Sequence, residues 1–362
     1  MKKGSHFLIG ISVVFSLLGC RSGNGVYYSV TDFEKVPKID MHLHYNTEDV
    51  SYLKFADSLN FRIVSPNVDA GEMPVDRQLE IASTVRQKFP EKFAFFGTFA
   101  VDSFGRPGFA ENTIVSIDKS IRSGACGIKI WKNIGMVLKN SAGQYVMVDN
   151  EEFDPVFDYM EANEIRLIAH LGEPRNCWLP ENEMTVDNDR RYYSRHPEYH
   201  MYLHPEAPSY EDQIGARDSL LKKHPKLRFT GAHLASLEWS VDELGKRFDQ
   251  FPEMNADLAA RIANLQHQSL ADRERVRNFL IKYQDRILYG TDMTLGTNDT
   301  VYSRVTSGMR DTWMNHWVYL ATDSLVAVKA LGGKRVKGLQ LPRDVIDKIY
   351  RRNAEQFFSM NQ

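Results

Sequence analysis

Eight short apolar runs recur along this chain, and each is followed by a segment with helical periodicity. Runs such as FRIVSP and LRFTGAH are rich in branched and aromatic residues, as buried strands are. The segments between them, such as DRQLEIASTVRQKF, repeat apolar residues at the spacing of an amphipathic helix. Strands that alternate with helices form parallel βαβ units. The eight runs lie at 38–44, 61–66, 93–99, 127–131, 165–170, 227–233, 253–258 and 286–292.

Eight such units predict an α/β fold, the (β/α)8 or TIM barrel, with a final helix over DVIDKIYRRNAEQFFSM. A chain of 362 residues, 43% of them hydrophobic, can bury a core of that size. No repeat or low-complexity linker interrupts the pattern, so residues 36–362 are predicted to form one domain. Two connections are long, 171–210 after strand 5 and 293–342 after strand 8. Long loops at the carboxyl rim of a barrel are usually functional.

The first twenty residues have a different character. Lys2 and Lys3 precede an apolar stretch, Phe7 to Leu18, that is too short to span a bilayer and is typical of an export signal. The sequence LLGC, which ends at Cys20, resembles the lipobox of bacterial lipoproteins, in which the cysteine is lipidated and becomes the mature N-terminus. We therefore predict a signal peptide over 1–19 and a tether over 20–35. The alternative is a plain secretory signal with a chance cysteine.

Lipidation of Cys20 would anchor the protein in the membrane of a bacterial cell envelope. The predicted orientation faces the periplasm, because no acidic run follows Cys20 to mark it for surface display. A net charge of -2 without a basic stripe argues against nucleic-acid binding. Cys126 and Cys177 are expected near opposite ends of the barrel. We therefore predict two free thiols, although an exported compartment permits a disulfide.

Polar residues able to bind a metal end four of the predicted strands. His42 and His44 lie two residues apart on an extended segment, so their side chains point to the same face. His170 ends strand 5, His233 ends strand 6 and Asp292 ends strand 8. Imidazole nitrogens and a carboxylate at a barrel mouth suit zinc or a similar divalent ion, with one position open for water. The sequence therefore predicts a metal site at the carboxyl rim.

The motifs IDMHLH, LIAHLGEP, TGAHLAS, LYGTD and RRNAEQFF resemble those of the amidohydrolase superfamily, in the branch that includes aminocarboxymuconate-semialdehyde decarboxylase and several lactonases. The resemblance covers about residues 37 to 358. It implies a TIM barrel with one divalent ion held by His42, His44, His170 and Asp292. It also implies that His233 contacts the substrate or acts as an acid/base. The expected ion is Zn²⁺, with Mn²⁺ as the alternative.

Lys129, in GIKIW, is open to two interpretations under this resemblance. In binuclear amidohydrolases a strand-4 lysine is carbamylated and bridges two metals. In the mononuclear branch the same lysine is often unmodified and neutralises substrate charge, which is the role favoured here. The branch more often has histidine where this chain has Trp131, and this departure concerns the substrate pocket rather than the metal site.

Substrate-binding residues are predicted from the rim loops. Arg175 and Trp178 follow strand 5 and suit a carboxylate and a ring or sugar face, unless they only pack the loop onto the barrel. Near the end of strand 7, Arg261 is a candidate for binding an anionic group. Asp257 precedes it and would equally serve as the N-cap of the next helix. Prolines follow the histidines at 196 and 204 and break any helix that would align them with the one at 200, so no second metal site is expected there.

The predicted function is hydrolysis of a lactone, ester or amide in a small, carboxylate-bearing substrate. A bound divalent ion lowers the pKa of water toward ~7 and polarises a carbonyl group. Asp292 would accept the proton and return it to the leaving group, and His233 would stabilise the oxyanion. The alternatives are a lyase with the same ligands, either a non-oxidative decarboxylase or a hydratase, and a non-catalytic ligand-binding lipoprotein. Assembly into a homo-oligomer stays open.

Overall fold

A computed structural model describes residues 26–71, 73–296 and 301–358 of the chain. The predicted signal peptide and the lipidation site at Cys20 lie outside the described residues. No helix within the described ranges is long and apolar enough to cross a membrane.

Parallel strands form the centre of the molecule, and the barrel strands are β1 Lys38–Asp40, β2 Phe61–Pro66, β3 Phe93–Phe96, β4 Ile128–Ile130, β5 Leu167–Ala169, β6 Phe229–Gly231, β7 Met254–Asp257 and β8 Ile287–Leu288. β1, β2 and β3 pair in parallel, and so do β4 to β8. A parallel bridge between Gly97 and Ile128 joins β3 to β4. The ring closes where the Met41 N–H donates to the Tyr289 carbonyl oxygen at 3.0 Å. The predicted (β/α)8 barrel is confirmed.

Helices surround the strands at Ser51–Ser58, Val75–Lys88, Phe109–Arg122, Asp154–Ala162, Tyr210–Lys223, Val241–Gln250, Ile262–Lys282 and Tyr302–Ala321. Serine caps begin two of them: Ser209 accepts the Asp212 N–H at 3.1 Å, and Ser240 accepts the Glu243 N–H at 3.3 Å. The helix that Ser209 caps buries Leu220 against the strands, as its apolar periodicity predicts.

The barrel interior is filled by apolar side chains, namely Ile39, Met41, Val64, Ala94, Phe96, Ile168 and Leu288. Phe358 of the final helical segment packs edge-on against Phe96, with ring centroids 4.9 Å apart. Gly127 lets β4 approach β5, because an added Cβ would lie 2.4 Å from the Arg166 carbonyl oxygen. The interior is therefore a packed core, and the space for a ligand lies at its carboxyl end.

The two long connections have regular structure of their own. After β5 come the short helical pieces Arg175–Trp178, Glu181–Glu183, Asp187–Arg195, Pro197–Tyr199 and Met201–Leu203. After β8 come the helix Tyr302–Ala321, a hairpin of Leu325–Val328 with Lys334–Lys337, and the closing segments Arg343–Asp347, Lys348–Arg352 and Asn353–Phe358. Cys126 and Cys177 are both free, as predicted.

Candidate metal centre

Two histidines and one carboxylate meet at the carboxyl end of the barrel. His42 Nε2 and His44 Nε2 each lie 3.3 Å from Asp292 Oδ1. In a tetrahedral site with metal–ligand bonds of about 2.0–2.1 Å, neighbouring donor atoms are about 3.3–3.4 Å apart. One ligand atom from each of these three residues lies within 4.8 Å of the ligand atoms of the other two. Their spacing and donor types therefore fit a divalent ion.

The backbone after β8 brings Asp292 to this position. Its φ of 64° is in the left-handed region, and its N–H donates to the His42 carbonyl oxygen at 2.6 Å. Gly290 allows the close approach, because a Cβ there would lie 2.8 Å from the His42 Cβ. Thr291 is fastened by Asp40, whose Oδ2 accepts the threonine hydroxyl at 2.7 Å. The closure of the barrel thus fixes the carboxylate relative to the histidines.

His170 and His233 lie beside this group and contact each other. His233 Nδ1 is 3.1 Å from the Ala259 carbonyl oxygen, which can only accept, so Nδ1 carries the proton and Nε2 the lone pair. His170 Nδ1, 3.2 Å from that lone pair, must donate to it. His170 Nε2 then carries a lone pair and has no hydrogen-bond partner among the described residues. A buried nitrogen in that state is suited to bind a metal.

The distances to the carboxylate differ for these two histidines. His233 Nε2 lies 3.9 Å from Asp292 Oδ2, whereas no described ion pair joins His170 to Asp292. His170 Nε2 is instead 3.6 Å from Glu173 Oε2. All five predicted site residues line one cavity. Which of the two imidazoles completes the ligand set stays a prediction.

The backbone that presents His233 is strained. Residues 233–236 have φ between 53° and 62°, although none of them is glycine. Consecutive left-handed L-residues cost roughly 1–2 kcal/mol each, so tertiary contacts must hold them. Asp257 Oδ1 accepts the His233 N–H at 2.8 Å, and Ser236 Oγ donates to the Leu171 carbonyl oxygen at 2.8 Å. Strain of this kind is concentrated at functional sites.

Burial and neighbouring charges give these groups the protonation state that metal ligands need. Burial lowers the pKa of His170 to about 4 and the pKa of His233 well below its usual value. Burial, and then the Lys129 ammonium, lower the pKa of His42. Burial acts to raise the pKa of Asp292, but the surrounding imidazoles, His233 foremost, hold it well below its usual value. Burial therefore favours the neutral imidazoles of His42, His170 and His233, the state in which histidine binds a metal.

Lys129 lies against the centre rather than out in the cavity. Its Nζ is 3.1 Å from His42 Nε2, and burial lowers the pKa of its ammonium to about 8. This position is compatible with an unmodified lysine that neutralises substrate charge and with a carbamylated bridge. The two interpretations are separated by the number of metals bound.

A cavity of about 290 Å³ opens onto the centre. Two of the predicted substrate-binding residues, Lys129 and Arg261, line it. The remaining wall is formed by His42, His44, Val68, Trp131, Lys132, His170, Glu173, Pro174, Asp189, Tyr192, Tyr193, His233, Asp292 and Thr294.

The other two predicted substrate-binding residues do not line this cavity. The Arg175 guanidinium stacks on the Trp239 ring, 4.4 Å from its centroid. Trp178 donates from Nε1 to the Pro208 carbonyl oxygen at 3.1 Å and packs edge-on against Tyr210. Both side chains pack the loop after β5 onto the barrel, so the alternative to substrate binding holds for Arg175 and Trp178.

Several cavity residues are not apparent from the sequence. Lys132 and Glu173 form a buried ion pair across the ends of β4 and β5. The Lys132 ammonium also lies 5.3, 5.8 and 5.2 Å from the ring centroids of Trp131, Tyr192 and Tyr199. The position of Lys132 and Glu173 at strand ends is a signal that could have identified them. The loop aromatics have no such signal.

Comparison with known proteins places the chain in a family. The profile of the family described as Amidohydrolase (Amidohydro_2) matches residues 39–360. A search of curated proteins finds no match.

Solved structures to which this chain is similar include those of three enzymes. The IDCase of Metarhizium anisopliae has 13% identity and a TM-score of 0.47, covering 87% of this chain and 79% of that one. The 4-oxalomesaconate hydratase of Rhodopseudomonas palustris has 11% identity and a TM-score of 0.45, with coverages of 90% and 96%. The dihydroorotase of Saccharomyces cerevisiae has 12% identity and a TM-score of 0.45, with coverages of 89% and 84%.

The family profile spans the barrel strands, both long connections and the whole candidate metal centre. On this match the chain belongs to the amidohydrolase family, whose members are metal-dependent TIM-barrel enzymes.

Proposed function

We propose that this protein is a metal-dependent hydrolase that cleaves a lactone, ester or amide bond in a small, carboxylate-bearing substrate. The observation that carries this proposal is the spacing of His42, His44 and Asp292: each histidine Nε2 lies 3.3 Å from Asp292 Oδ1, as neighbouring metal ligands do. In the proposed assignment His170 completes the ligand set through its unpartnered Nε2. Zn²⁺ is the expected ion for nitrogen-rich ligands of this type, with Mn²⁺ as the alternative.

The chemistry follows from how the side chains are arranged around the ion. When bound, a divalent ion lowers the pKa of water and polarises a carbonyl group. Asp292 turns Oδ1 toward the ligand histidines and Oδ2 toward His233, 3.9 Å away. Oδ2 can therefore hold a proton taken from water and pass it to the leaving group. The Nε2 lone pair of His233 accepts the hydrogen bond from His170 Nδ1, so His233 can share the proton held by Asp292, or orient the substrate, once that hydrogen bond opens.

Arg261 supports the substrate class. Its side chain is only 8% exposed, it lines the cavity, and its Nε has no hydrogen-bond partner among the described residues. One guanidinium nitrogen donates to the Ala260 carbonyl oxygen at 3.3 Å, and no carboxylate in the described chain lies within ion-pairing distance. Burial acts to lower the pKa of Arg261, but the carboxylates of Asp189, Glu238 and Glu173 outweigh it and raise the value, so the guanidinium stays charged. Its unpaired Nε is the donor that a substrate anion would engage. Arginine matches a carboxylate in two-pronged geometry.

The first test measures metal content and hydrolysis on the same purified protein. Elemental analysis should find about one divalent ion per chain. The metal-loaded protein should then release acid from a member of a panel of lactones, sugar acids, N-acyl amino acids and aromatic carboxylates. Two metals per chain would instead assign Lys129 as a carbamylated bridge. Gas release would identify a decarboxylase, and no bound metal after reconstitution would contradict the proposal.

A matched pair of variants tests the carboxylate. Arg261→Gln should raise KM for the carboxylate substrate and leave KM for its methyl ester nearly unchanged. Arg175→Gln removes a guanidinium that stacks outside the cavity and should change neither value. An equal effect of Arg261→Gln on both substrates would remove carboxylate recognition from the proposal.

A further inference from the structure

Asp257, the last residue of β7, contacts two of the site histidines without lining the cavity. Its side chain is fully buried, and Oδ2 lies 2.7 Å from His42 Nδ1. Oδ1 accepts the backbone N–H of His233 at 2.8 Å and that of Ala259 at 3.1 Å. The helix after β7 begins only at Ile262, so Asp257 is not its N-cap. One carboxylate therefore connects β1, β6 and β7 at the metal centre.

The contact with His42 determines which ring nitrogen carries the proton. A carboxylate oxygen accepts, so Nδ1 of His42 must donate and Nε2 must keep its lone pair. Lys129 agrees with this assignment, because an ammonium only donates and its Nζ lies 3.1 Å from Nε2. Nε2 is also the nitrogen that lies 3.3 Å from Asp292 Oδ1. Asp257 therefore keeps the lone pair of His42 on the side of the candidate ion.

The other oxygen of Asp257 acts on the backbone of His233. The His233 N–H is the first of the strained left-handed run 233–236. Without Asp257 as acceptor, this buried N–H would lose its hydrogen bond, and the steric cost of the left-handed backbone at 233–236 would no longer be offset there. The Ala259 N–H shares the same oxygen, and the Ala259 carbonyl oxygen holds His233 Nδ1. Asp257 thus fixes both the backbone and, through Ala259, the ring of His233.

We propose that Asp257 is a positioning residue with two separable roles: Oδ2 sets the tautomer of His42 for metal binding, and Oδ1 holds His233 in place. The inference rests on the proposed metal-dependent function, because the first role concerns affinity for the ion. The second role concerns a residue that acts on the substrate. Each role belongs to a different oxygen, so two substitutions can separate them.

Asp257→Asn should disturb only the first role. Its amide oxygen is expected to face the two backbone N–H groups, because the reverse orientation would break two hydrogen bonds instead of one. The amide NH₂ then faces His42 Nδ1 and favours the tautomer with the proton on Nε2. Affinity for Zn²⁺, measured by competition with a chelator, should fall about 10–100-fold, the usual effect of losing such a partner. Turnover at saturating Zn²⁺ should stay within a few-fold of the parent.

Asp257→Ala should disturb both roles. The same loss of Zn²⁺ affinity is expected, together with a loss of turnover that saturating Zn²⁺ does not restore. Asp218→Asn is the control, because Asp218 accepts hydrogen bonds from Arg217 and Arg247 on the outer face and touches no site histidine. It should leave Zn²⁺ affinity unchanged, even if it lowers stability. Long-range ¹H–¹⁵N correlation spectra of the metal-free proteins should show the His42 proton on Nδ1 in the parent and on Nε2 in Asp257→Asn.

Each outcome decides one question. A parent that binds no Zn²⁺ contradicts the proposed function, while the spectra still test the tautomer. If the parent binds Zn²⁺ and Asp257→Asn binds it equally well with the proton still on Nδ1, the first role is wrong. If Asp257→Ala matches Asp257→Asn in turnover at saturating Zn²⁺, the second role is wrong.

Discussion

Hydrogen bonds at Nδ1 of three imidazoles, those of His42, His170 and His233, organise this centre. Asp257 holds the proton of His42 on Nδ1, and the Ala259 carbonyl oxygen does the same for His233. His233 in turn receives the Nδ1 proton of His170. His42 and His170 therefore each present the Nε2 lone pair in a defined direction without relying on the ion to orient it, whereas the lone pair of His233 accepts the His170 proton. Ligands arranged in advance in this way bind a metal more tightly than freely rotating rings.

At this scale we predict different effects for His170 and His233. His233→Asn should keep most of the bound metal but lose at least ~10²-fold in turnover, the scale of a lost acid/base or oxyanion group. His170→Asn should lose metal affinity as well as activity, because it removes a ligand. Metal content and turnover are measured for both variants under identical loading. Loss of metal only in His233→Asn would mean that the two assignments are reversed, an outcome that the 3.9 Å contact of His233 with Asp292 makes worth testing.

Between elements, the buried pair of Lys132 and Glu173 joins the ends of β4 and β5 to the loop after β5. The Lys132 ammonium lies against the rings of Tyr192 and Tyr199, which belong to that loop. Burial acts to lower the pKa of Lys132, but Glu173 outweighs it and raises the value. The pair therefore stays charged and holds the loop over the cavity.

We predict that Lys132→Met destabilises the protein by about 3–5 kcal/mol, because it leaves Glu173 buried and charged without its partner. The double variant Lys132→Met/Glu173→Gln should recover part of this loss, since it also removes the buried charge. Free energies of unfolding come from urea titration, and limited proteolysis reports on the loop. Lys139→Met is the control, because Lys139 lies over the Tyr145 ring, 4.4 Å from its centroid, away from this cavity. Equal stability of the single and double variants would contradict the role of the pair.

For the whole molecule, the barrel explains why residues far apart in the chain form one site. Parallel strands in a closed ring all end at the same rim, so strand-end side chains converge whatever their separation in sequence. His42 and Asp292 are 250 positions apart and meet because β8 closes onto β1. The remaining expectation at this scale, attachment to a membrane, concerns residues outside the described ranges.

We predict that Cys20 is lipidated, from the charged start, the short apolar stretch and LLGC. Cys20→Ser should leave the protein unprocessed or in the soluble periplasmic fraction. Fractionation and labelling with a radioactive fatty acid provide the measurement, and Cys126→Ser serves as the matched cysteine control. Unchanged membrane association and labelling in Cys20→Ser would show that the lipoprotein interpretation is wrong.

The sequence by itself determined the barrel and the cluster of strand-end ligands. Apolar periodicity separates strands from helices, and eight alternating units leave few ways to close a parallel sheet. His42, His44, His170, His233 and Asp292 each lie at or shortly after the end of a strand, which brings them to one rim, although contacts with distant residues set the final orientation of His233 and Asp292. Their convergence is therefore a consequence of the topology.

Only the tertiary structure decided the roles of Asp257, Lys132 and Glu173, and the positions of Arg175 and Trp178. Asp257 ends a strand and precedes a helix, a pattern that fits an N-cap equally well, and only the closed barrel brings it to His42, which follows β1. Arg175 and Trp178 lie in a loop whose path depends on contacts such as Trp239 and Pro208, which are distant in sequence. Local apolar periodicity identifies the strands and the face on which each side chain lies. Loop conformation and the partners of buried polar groups depend on non-local contacts that no local pattern encodes.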